Sequence, residues 1–356
     1  MKKVAKLLAV VMAIGLVMSI FAACSAPAAT DTPKPAESSA PAVSEAPSAS
    51  EAPSESVAPS TGAKKKIGVS LFYRRDEYYK DLEAGFLYEA EKAGFDIEIQ
   101  DADTDPAKQT QQVEDFVSKG FDAICLSCTD PAGLVPAIDA AAAKGIPVFT
   151  YDGPSNSDKV ITHVGFDFKE DGQIVGEWAK KYITDNLGGK AKVAVIDFPQ
   201  SAVVCKARAD GFIEVMKSMP GVEIVAQQDG KASRTDSMSV MENILTSNPD
   251  VNIVFGINYD TGAGAKAAIQ AAKSKAIVLC VAWGVEGFQE LENNDAIMKG
   301  FSVTSPAVQA QDTIKAIGEF FAGKDIPKEY MSHSKMYDSS NIKDLPWKEI
   351  VARRKG

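Results

Sequence analysis

From Lys64 onward, short apolar runs alternate with longer segments whose apolar residues recur at helical spacing. KIGVSLF, FDAICLS and IPVFTYD are typical of buried strands, whereas YYKDLEAGFLYEAEKAG and PAKQTQQVEDFVSKG are typical of helices. Gly94, Gly120 and Gly145 follow three of the helical segments and mark their ends. This alternation predicts βαβ units and a parallel sheet.

A second series with the same alternation begins at KAKVAVIDF. The strand-like runs GVEIVAQQD, VNIVFGIN, AIVLCVAW and AIMKGFSV follow, each separated from the next by a helical segment. The two series together span roughly 290 residues, which is more than one hydrophobic core usually serves. We therefore predict an α/β protein with two doubly wound parallel-sheet lobes and a cleft between them.

The segments that follow the predicted strands are rich in polar and aromatic residues. They include FYRRDEYY, YDGPS, NYDTG and AWGVE. Ligands of open α/β sheets bind beyond the carboxyl ends of the strands. If the two lobes face each other through these ends, a ligand lies between them and closure of the lobes buries it.

The N-terminal part of the chain differs in composition from the rest. A basic start followed by an apolar run predicts a signal peptide over residues 1–23. The sequence FAAC resembles a bacterial lipobox, which implies lipid modification of Cys24 and an anchor on the extracellular face of the cell membrane. An ordinary secretory signal with an incidental cysteine is the alternative. The Ser-, Ala-, Pro- and Glu-rich remainder of residues 24–63 predicts a disordered linker.

The charge balance argues against nucleic acid as a partner. The formal net charge is −10, and the predicted signal peptide carries three lysines and no acids, so the mature chain is near −13. Nucleic-acid binding needs a basic footprint. The one short basic run at the C-terminus, ARRKG, is interpreted as a solvated helix end.

The cysteines and short motifs give little support to catalysis. Cys125 and Cys128 have C-x-x-C spacing, but a strand at this position would place the two thiols on opposite faces. Together with Cys205 and Cys280 they are interpreted as buried structural thiols, with a disulfide left open as the alternative. TGAGAKAA imitates a dinucleotide-binding motif but lacks the acidic residue that the ribose requires. No phosphate-binding loop or G-x-S-x-G motif occurs, so we expect no enzyme activity, cofactor or metal.

Two stretches resemble a known family. DPAGLVPAIDAAAAKGIPVFTYD and NPDVNIVFGINYDTGAGAKAAIQAA are similar to the periplasmic binding proteins of the ribose-binding type, the substrate receptors of sugar ABC importers. The resemblance implies the type I periplasmic binding protein fold, in which a three-strand hinge joins two lobes. By similarity, the N-terminal lobe comprises residues 64–166 and 305–332, and the C-terminal lobe comprises residues 167–304 and 333–356.

The same resemblance implies a function. We expect a monomeric receptor that binds a small sugar or polyol between the lobes and delivers it to ABC permease subunits. The alternative is the same domain acting as a ligand sensor for a membrane signalling protein.

The family's binding positions can be carried over to matching residues of this chain. Asp76 supplies a polar group, Tyr78 and Tyr79 supply an aromatic pair that sandwiches a sugar ring, and Asp152 supplies a bidentate acceptor for hydroxyls. The complete set of expected ligand-binding residues is Asp76, Tyr78, Tyr79, Asp152, Lys206, Arg208, Asn258, Trp283, Thr304 and Arg75.

Three positions depart from the family pattern. Relatives usually carry an arginine where this chain has Gly153, an aspartate where it has Ala282 beside Trp283, and an amide side chain where it has Thr304. These changes make ribose itself doubtful as the ligand. Two alternatives are a neutral monosaccharide or polyol, and a sugar acid or other anion held by an arginine.

The neutral ligand is favoured because Asp76, Asp152 and Asp260 would repel an anion. Arg74 and Arg75 either contact the ligand or form an ion pair with Asp76 or its neighbour at the rim of the cleft.

Overall fold

The computed structural model describes residues 64–201 and 203–354. The predicted signal peptide, Cys24 and the linker lie outside these residues. Residues 61–356 form one compact unit. No helix in the described part of the chain is long and apolar enough to cross a membrane.

The first half of the described chain supplies five strands of a six-stranded sheet with helices on both faces. Its elements are β1 (Lys66–Leu71), α1 (Glu77–Ala93), β2 (Asp96–Asp101), α2 (Pro106–Ser118), β3 (Ala123–Leu126), α3 (Val135–Ala143), β4 (Val148–Tyr151) and β5 (Val160–Phe166). The sixth strand, β11 (Glu329–Ser332), comes from near the end of the chain. The sheet order is β11-β5-β4-β3-β1-β2, and every neighbouring pair is parallel. We call this sheet and its helices the first lobe.

The second lobe is built in the same way. Its elements are α4 (Phe168–Asn186), β6 (Ala191–Asp197), α5 (Cys205–Lys217), β7 (Val222–Asp229), α6 (Arg234–Ser247), β8 (Ile253–Gly256), α7 (Tyr259–Ala272), β9 (Ile277–Val281), α8 (Val285–Glu292) and β10 (Met298–Val303). A further strand near the end of the chain, β12 (Lys335–Asp338), completes the sheet, whose order is β12-β10-β9-β8-β6-β7. These two sheets confirm the predicted two-lobe α/β class.

The last part of the chain returns to both lobes. It contains α9 (Pro306–Phe321), β11 (Glu329–Ser332), β12 (Lys335–Asp338), a 3₁₀ turn (Ile342–Asp344) and α10 (Trp347–Ala352). The chain crosses between the lobes three times, after β5, after β10 and between β11 and β12. All crossings involve the β5 and β10 side of the sheets, so β2 and β7 lie at the edges farthest from the crossings.

One strand differs from the predicted parallel arrangement. β12 pairs with β10 antiparallel. β11 runs toward the cleft parallel to β5, and the chain continues after two residues into the other lobe, where it runs away from the cleft. β10 runs toward the cleft, so the pairing is antiparallel for a reason of topology rather than of strand sequence.

The four cysteines of the described residues are free and buried. Cys125 packs with the core on one face of the first sheet and Cys128 with the core on the other, which confirms the predicted opposite orientation. Burial raises the pKa of Cys125 and Cys280, and it raises the pKa of Cys128 to about 12. The structural interpretation of these thiols is therefore confirmed, and within the described residues no cluster of side chains could hold a metal ion.

The C-terminal basic run is not a solvated helix end, and that expectation was wrong. α10 packs on the second-lobe core through Trp347, and the two arginines that follow it lie against α1 of the first lobe. A short helix with arginines is ambiguous in sequence because the residues that receive them, Asp81 for Arg354 and Tyr88 for Arg353, lie far away in the chain.

Candidate functional site: the cleft between the lobes

A cavity of about 1020 Å³ lies between the lobes at the carboxyl ends of their strands. Its walls come from segments that follow every strand from β1 to β10 except β2. Eight of the ten predicted binding residues line it, namely Asp76, Tyr78, Tyr79, Asp152, Arg208, Asn258, Trp283 and Thr304. The cavity is large enough for a small organic ligand with water.

Asp152 lies at the centre of a hydroxyl network in the first lobe. It follows β4 with φ 53°, a left-handed conformation in which a residue other than glycine is strained. The phenol of Tyr79 donates a hydrogen bond to Oδ2 of Asp152, and the same phenol oxygen lies 3.2 Å from Oγ of Ser127. Burial raises the pKa of Asp152, and the hydrogen bond from Tyr79 partly opposes that rise.

The missing arginine next to Asp152 has a steric explanation. A Cβ atom on Gly153 would lie 2.9 Å from the backbone oxygen of Cys128 and 3.0 Å from its backbone nitrogen. The backbone nitrogen of Gly153 also donates to Oγ of Ser127 at 3.2 Å. The loop therefore lies too close to its neighbour for the larger residue that relatives carry, unless the backbone shifts.

The predicted aromatic sandwich is not formed by Tyr78 and Tyr79. Their ring centroids are 5.6 Å apart and the rings are inclined by 72°, so one ring meets the other edge to face. Tyr79 is only 5% exposed, and its hydroxyl is committed to Asp152. The hydroxyl of Tyr78 donates to Oε1 of the buried Gln309. These contacts give both tyrosines a hydrogen-bonding role, and the two rings do not present parallel faces to each other.

Two aromatic residues ahead of the predicted pair also form the cleft wall. Phe72 and Tyr73 line the cavity and pack on Tyr79, with centroid distances of 6.2 Å and 4.8 Å. The hydroxyl of Tyr73 donates to Oδ2 of Asp76 at 2.6 Å, and Oδ1 of Asp76 accepts from the backbone nitrogen of Tyr79 at 2.9 Å as the N-cap of α1. The signal for them was available, because both belong to the stretch FYRRDEYY.

Arg208 is one of the basic residues that the second lobe turns toward the cleft. Its Nε lies 3.3 Å from Oδ2 of Asp171, which is buried on α4, and its Nη1 donates to the backbone oxygen of Ile257 at 3.3 Å. The guanidinium lies over the ring of Phe168, 5.3 Å from its centroid. Burial raises the pKa of Asp171, and the guanidinium of Arg208 opposes that rise. Asp171 and Phe168 were not anticipated from the sequence.

Asn258 and Thr304 occupy the remaining predicted positions. Oδ1 of Asn258 accepts from the backbone nitrogen of Thr261 at 2.9 Å as the N-cap of α7, and Nδ2 donates to the backbone oxygen of Ala232 at 3.3 Å. Thr304 is 5% exposed and directly follows β10, at the start of the crossing to the first lobe. Both residues lie on the cavity wall, and Asn258 also fixes the loop that carries it.

Two predicted residues do not line the cavity. Lys206 forms an exposed ion pair with Asp210 one turn along α5, so its predicted contact with the cleft is wrong in this structure. Arg75 is 65% exposed, lies over the ring of Tyr73 and is 3.9 Å from Asp103.

The other arginine of FYRRDEYY is also committed elsewhere. Nε and Nη2 of Arg74 donate to the carboxylate of Glu83 at 2.7 and 2.8 Å. The expectation that one of these arginines pairs with Asp76 or its neighbour was therefore wrong. The second turn of α1 brings Glu83 to Arg74 in the loop before the helix, and the loop after β2 brings Asp103 to Arg75.

The rim of the second lobe contains an ion-pair cluster that the sequence did not indicate. Arg234 bridges Asp260, at 3.1 Å, and Glu286, at 2.8 Å, and its guanidinium lies over the ring of Tyr259. All four residues line the cavity. The cleft arginines of this lobe thus have carboxylate partners within their own lobe.

Trp283 lines the cavity but is fixed by the opposite lobe. Its indole Nε1 donates to Oδ2 of Asp81 on α1 at 2.8 Å, and its ring meets Phe288 edge to face at 5.1 Å. Asp81 was not among the predicted residues. The neighbouring Ala282 is 4% exposed, so the missing family carboxylate leaves a buried methyl group.

Comparison with known proteins agrees with this geometry. The family model described as "Periplasmic binding protein domain" matches residues 67–325. The chain is 31% identical over 277 residues to the ribose import binding protein RbsB of Bacillus subtilis (strain 168), covering 75% of this chain and 86% of the relative. It is 30% identical over 278 residues to the ABC transporter periplasmic-binding protein YphF of Escherichia coli (strain K12), covering 74% and 84%.

A solved structure shows the same fold. An ABC transporter periplasmic solute binding protein from Actinobacillus succinogenes 130z, crystallised with bound D-allose, superposes with a TM-score of 0.70 at 21% identity, covering 79% of this chain and 100% of the other. The relatives named here are substrate-binding proteins of transporters rather than enzymes. With two parallel-sheet lobes, a lined cleft and these matches, the chain belongs to the periplasmic binding protein family and is similar to its ribose-type members.

Proposed function

We propose that this protein binds a neutral monosaccharide or polyol in the interlobe cleft and delivers it to ABC permease subunits at the outer face of the cell membrane. The observation that carries the proposal is the network of Asp152, Tyr79 and Ser127, which presents a half-buried carboxylate beside aromatic rings. Carboxylates accept hydrogen bonds from sugar hydroxyls, and the C–H faces of a sugar pack on aromatic rings.

The charges of the cleft favour a neutral ligand over an anion. Arg208 is paired with Asp171, and Arg234 is paired with Asp260 and Glu286. An anionic ligand would have to compete with these carboxylates while it approached Asp152. A neutral ligand can accept from Arg208 without displacing its partner.

The proposed location rests on the N-terminal sequence. Cys24 is proposed to carry the lipid anchor, and residues 25–63 to space a monomeric receptor from the membrane. Replacement of Cys24 by alanine should release the protein from the membrane fraction and abolish incorporation of labelled palmitate. If the Cys24→Ala variant stayed in the membrane fraction and still incorporated the label, the proposed lipid anchor would be contradicted. The ligand proposal would not be affected.

The ligand proposal is tested by thermal shift against a panel of probes. The panel contains D-ribose, D-allose, D-fructose, L-arabinose, myo-inositol, D-gluconate and ribose 5-phosphate. We expect at least one neutral member to raise the melting temperature. At a concentration of 100 times Kd, the gain in the free energy of unfolding is about 2.7 kcal/mol.

The anionic members separate the two ligand classes. A shift given by D-gluconate or ribose 5-phosphate alone would replace the neutral class by the anionic one. A folded protein that responds to no member would contradict the proposal of a sugar or polyol ligand. The variant Lys206→Ala is the matched control, because its side chain lies outside the cavity and its removal should leave every shift unchanged.

A further inference from the structure

One carboxylate of the first lobe is enclosed entirely by donors from the second lobe. Asp81 lies on α1 and is 0% exposed. Its Oδ1 accepts from Nε of Arg354 at 2.6 Å, and its Oδ2 accepts from Nη2 of Arg354 at 2.7 Å and from Nε1 of Trp283 at 2.8 Å. The arginine contact is the bidentate, side-on geometry in which guanidinium and carboxylate interact most strongly.

Neighbouring contacts follow the same line between α1 and the second lobe. Oε2 of Glu77 accepts from the backbone nitrogen of Val285 at 2.9 Å, and Oε1 lies 3.5 Å from Nη1 of Arg354. The guanidinium of Arg353 lies 3.9 Å from the ring centroid of Tyr88. Asp81 is therefore the buried centre of a longer strip of contacts that joins the lobes.

The strip differs from the three chain crossings because it is not covalent and can separate. If the lobes moved apart here, water would solvate Asp81 and Arg354 and offset part of the lost attraction. The desolvation cost is compensated in this structure because every oxygen of Asp81 has a short, charge-assisted or indole donor. The contact can therefore favour the closed arrangement by a moderate factor.

The strip also reaches the ligand cavity. Trp283 lines the cavity on one side and donates to Asp81 on the other. Its ring is held between this hydrogen bond and the edge-to-face contact with Phe288. The orientation of an aromatic wall of the cleft is thus set by an acid that does not itself line the cavity.

We propose that Asp81 is an interlobe positioning residue: by binding Arg354 and Trp283 it holds the lobes together in the absence of ligand and fixes the indole of Trp283 on the cleft wall. This inference goes beyond the proposed function and does not depend on which ligand the cleft takes. Loss of the contact should change the ratio of closed to open molecules by roughly 5- to 150-fold, the range of typical coupling between two states.

The test measures the distance between the lobes in the ligand-free, full-length protein. Spin labels are placed on cysteines at Lys108 and Thr235, which are exposed in the first turns of α2 and α6. These helices follow β2 and β7, the edges farthest from the crossings, where opening gives the largest change. Cys24 is replaced by serine, and the other four cysteines are buried and free, so labelling is directed to the introduced sites.

Three variants weaken the contact from different sides: one removes the guanidinium, one removes the charge of the acceptor and one removes the indole donor. Arg354→Gln and Asp81→Asn should lengthen the mean interlobe distance and broaden its distribution, and Trp283→Phe should do so by less because it removes one donor of three. Lys348→Gln is the matched control on α10, since Lys348 pairs with Glu292 inside the second lobe and should leave the distance unchanged. Trp283→Phe also keeps the test valid if a charge variant does not fold, as judged by circular dichroism.

Two outcomes would overturn the proposal. One is an unchanged distance in every folded variant of the Asp81 contact. The other is a wild-type distance already as long as that of Arg354→Gln, which would mean that the contact does not form without ligand. Since no sugar is present, neither result bears on whether the cleft binds one.

Discussion

The two lobes share one strand order but present different chemistry to the cleft. The first lobe offers Asp152 and Asp76, each of which accepts a hydrogen bond from a tyrosine hydroxyl. The second lobe offers Arg208 and Arg234, each of which is paired with carboxylates of its own lobe. In the first lobe, neutral tyrosine hydroxyls therefore donate to the cleft carboxylates. In the second lobe, the cleft arginines are held in ion pairs.

This difference indicates how the lobes divide recognition. A carboxylate that accepts one hydrogen bond from a tyrosine hydroxyl can still accept another from a sugar hydroxyl. The first lobe is therefore suited to bind the hydroxyl donors of the ligand. An arginine that is already paired has its charge balanced, so the second lobe is suited to add directional donors without attracting anions. Three predictions test this division, in order of decreasing effect.

The largest effect is expected when the buried ion pair of the second lobe is broken. Arg208→Ala leaves Asp171, whose side chain is 1% exposed, without its cation. Removal of one partner of a buried pair costs about 3 to 5 kcal/mol. Urea unfolding should show this loss in the free energy of unfolding, with no ligand present.

Arg234→Ala is the matched comparison at the rim of the same lobe. The side chain of Arg234 is 46% exposed, and its ion pairs are screened by water. We expect a loss of about 1 kcal/mol or less. If Arg208→Ala and Arg234→Ala lost the same free energy of unfolding, burial would not make the Arg208 ion pair more important for stability than the exposed pairs of Arg234.

The second prediction removes the charge of Asp152 and measures sugar affinity. Asp152→Asn keeps the shape of the side chain and, as asparagine, tolerates the φ of 53° better than alanine would. Loss of hydrogen bonds to a charged acceptor should weaken binding of the most stabilising sugar of the panel by about 3 kcal/mol, roughly 100-fold, in calorimetry. Affinity equal to the wild type would contradict the placement of the ligand at the first lobe.

The pH dependence of the same variant gives a second readout. Because burial raises the pKa of Asp152, its carboxylate is protonated at a higher pH than that of an ordinary aspartate. Wild-type affinity should therefore fall as the pH is lowered through this raised pKa, whereas the affinity of Asp152→Asn should stay flat. The free energy of unfolding should change in the opposite direction from the sugar affinity. The folded protein binds the proton on Asp152 more tightly than the unfolded chain does, so this group adds stability as the pH falls.

The sequence predicted the order of strands and helices closely because local patterns determine them. β1, β3, β6, β8 and β9 are nearly continuous apolar runs, as strands buried on both faces must be. The antiparallel β12 could not be read in the same way. Its direction follows from how the chain crosses between the lobes, which no local run of residues encodes.

The candidate site was predictable where strand ends and family positions coincide, as at Asp152. It was not predictable where side-chain direction decides the outcome. Lys206 and Arg208 are two residues apart on one helix, so they point in different directions and only Arg208 reaches the cleft. Asp81 receives Trp283 from 202 positions away and Arg354 from 273 positions away, a pairing that only the assembled lobes bring about.

The smallest effect is expected from removal of a single tyrosine hydroxyl in the first lobe. Tyr79→Phe deletes the donor to Asp152 but keeps the buried ring. Because the carboxylate loses one fixed partner, affinity for the same sugar should fall by about 1 kcal/mol, roughly fivefold, and the pH at which binding is lost should rise. Calorimetry across a pH series measures both quantities.

Tyr73→Phe is the matched change on the other acid, since the hydroxyl of Tyr73 donates to Asp76 at 2.6 Å. Asp76 is also the N-cap of α1, so its oxygens already serve the backbone and we expect a smaller loss of affinity than for Tyr79→Phe. A larger loss of affinity for Tyr73→Phe than for Tyr79→Phe would indicate that Asp76, rather than Asp152, is the main acceptor of sugar hydroxyls in the first lobe. It would also mean that the exposed rim, rather than the buried network, selects the ligand.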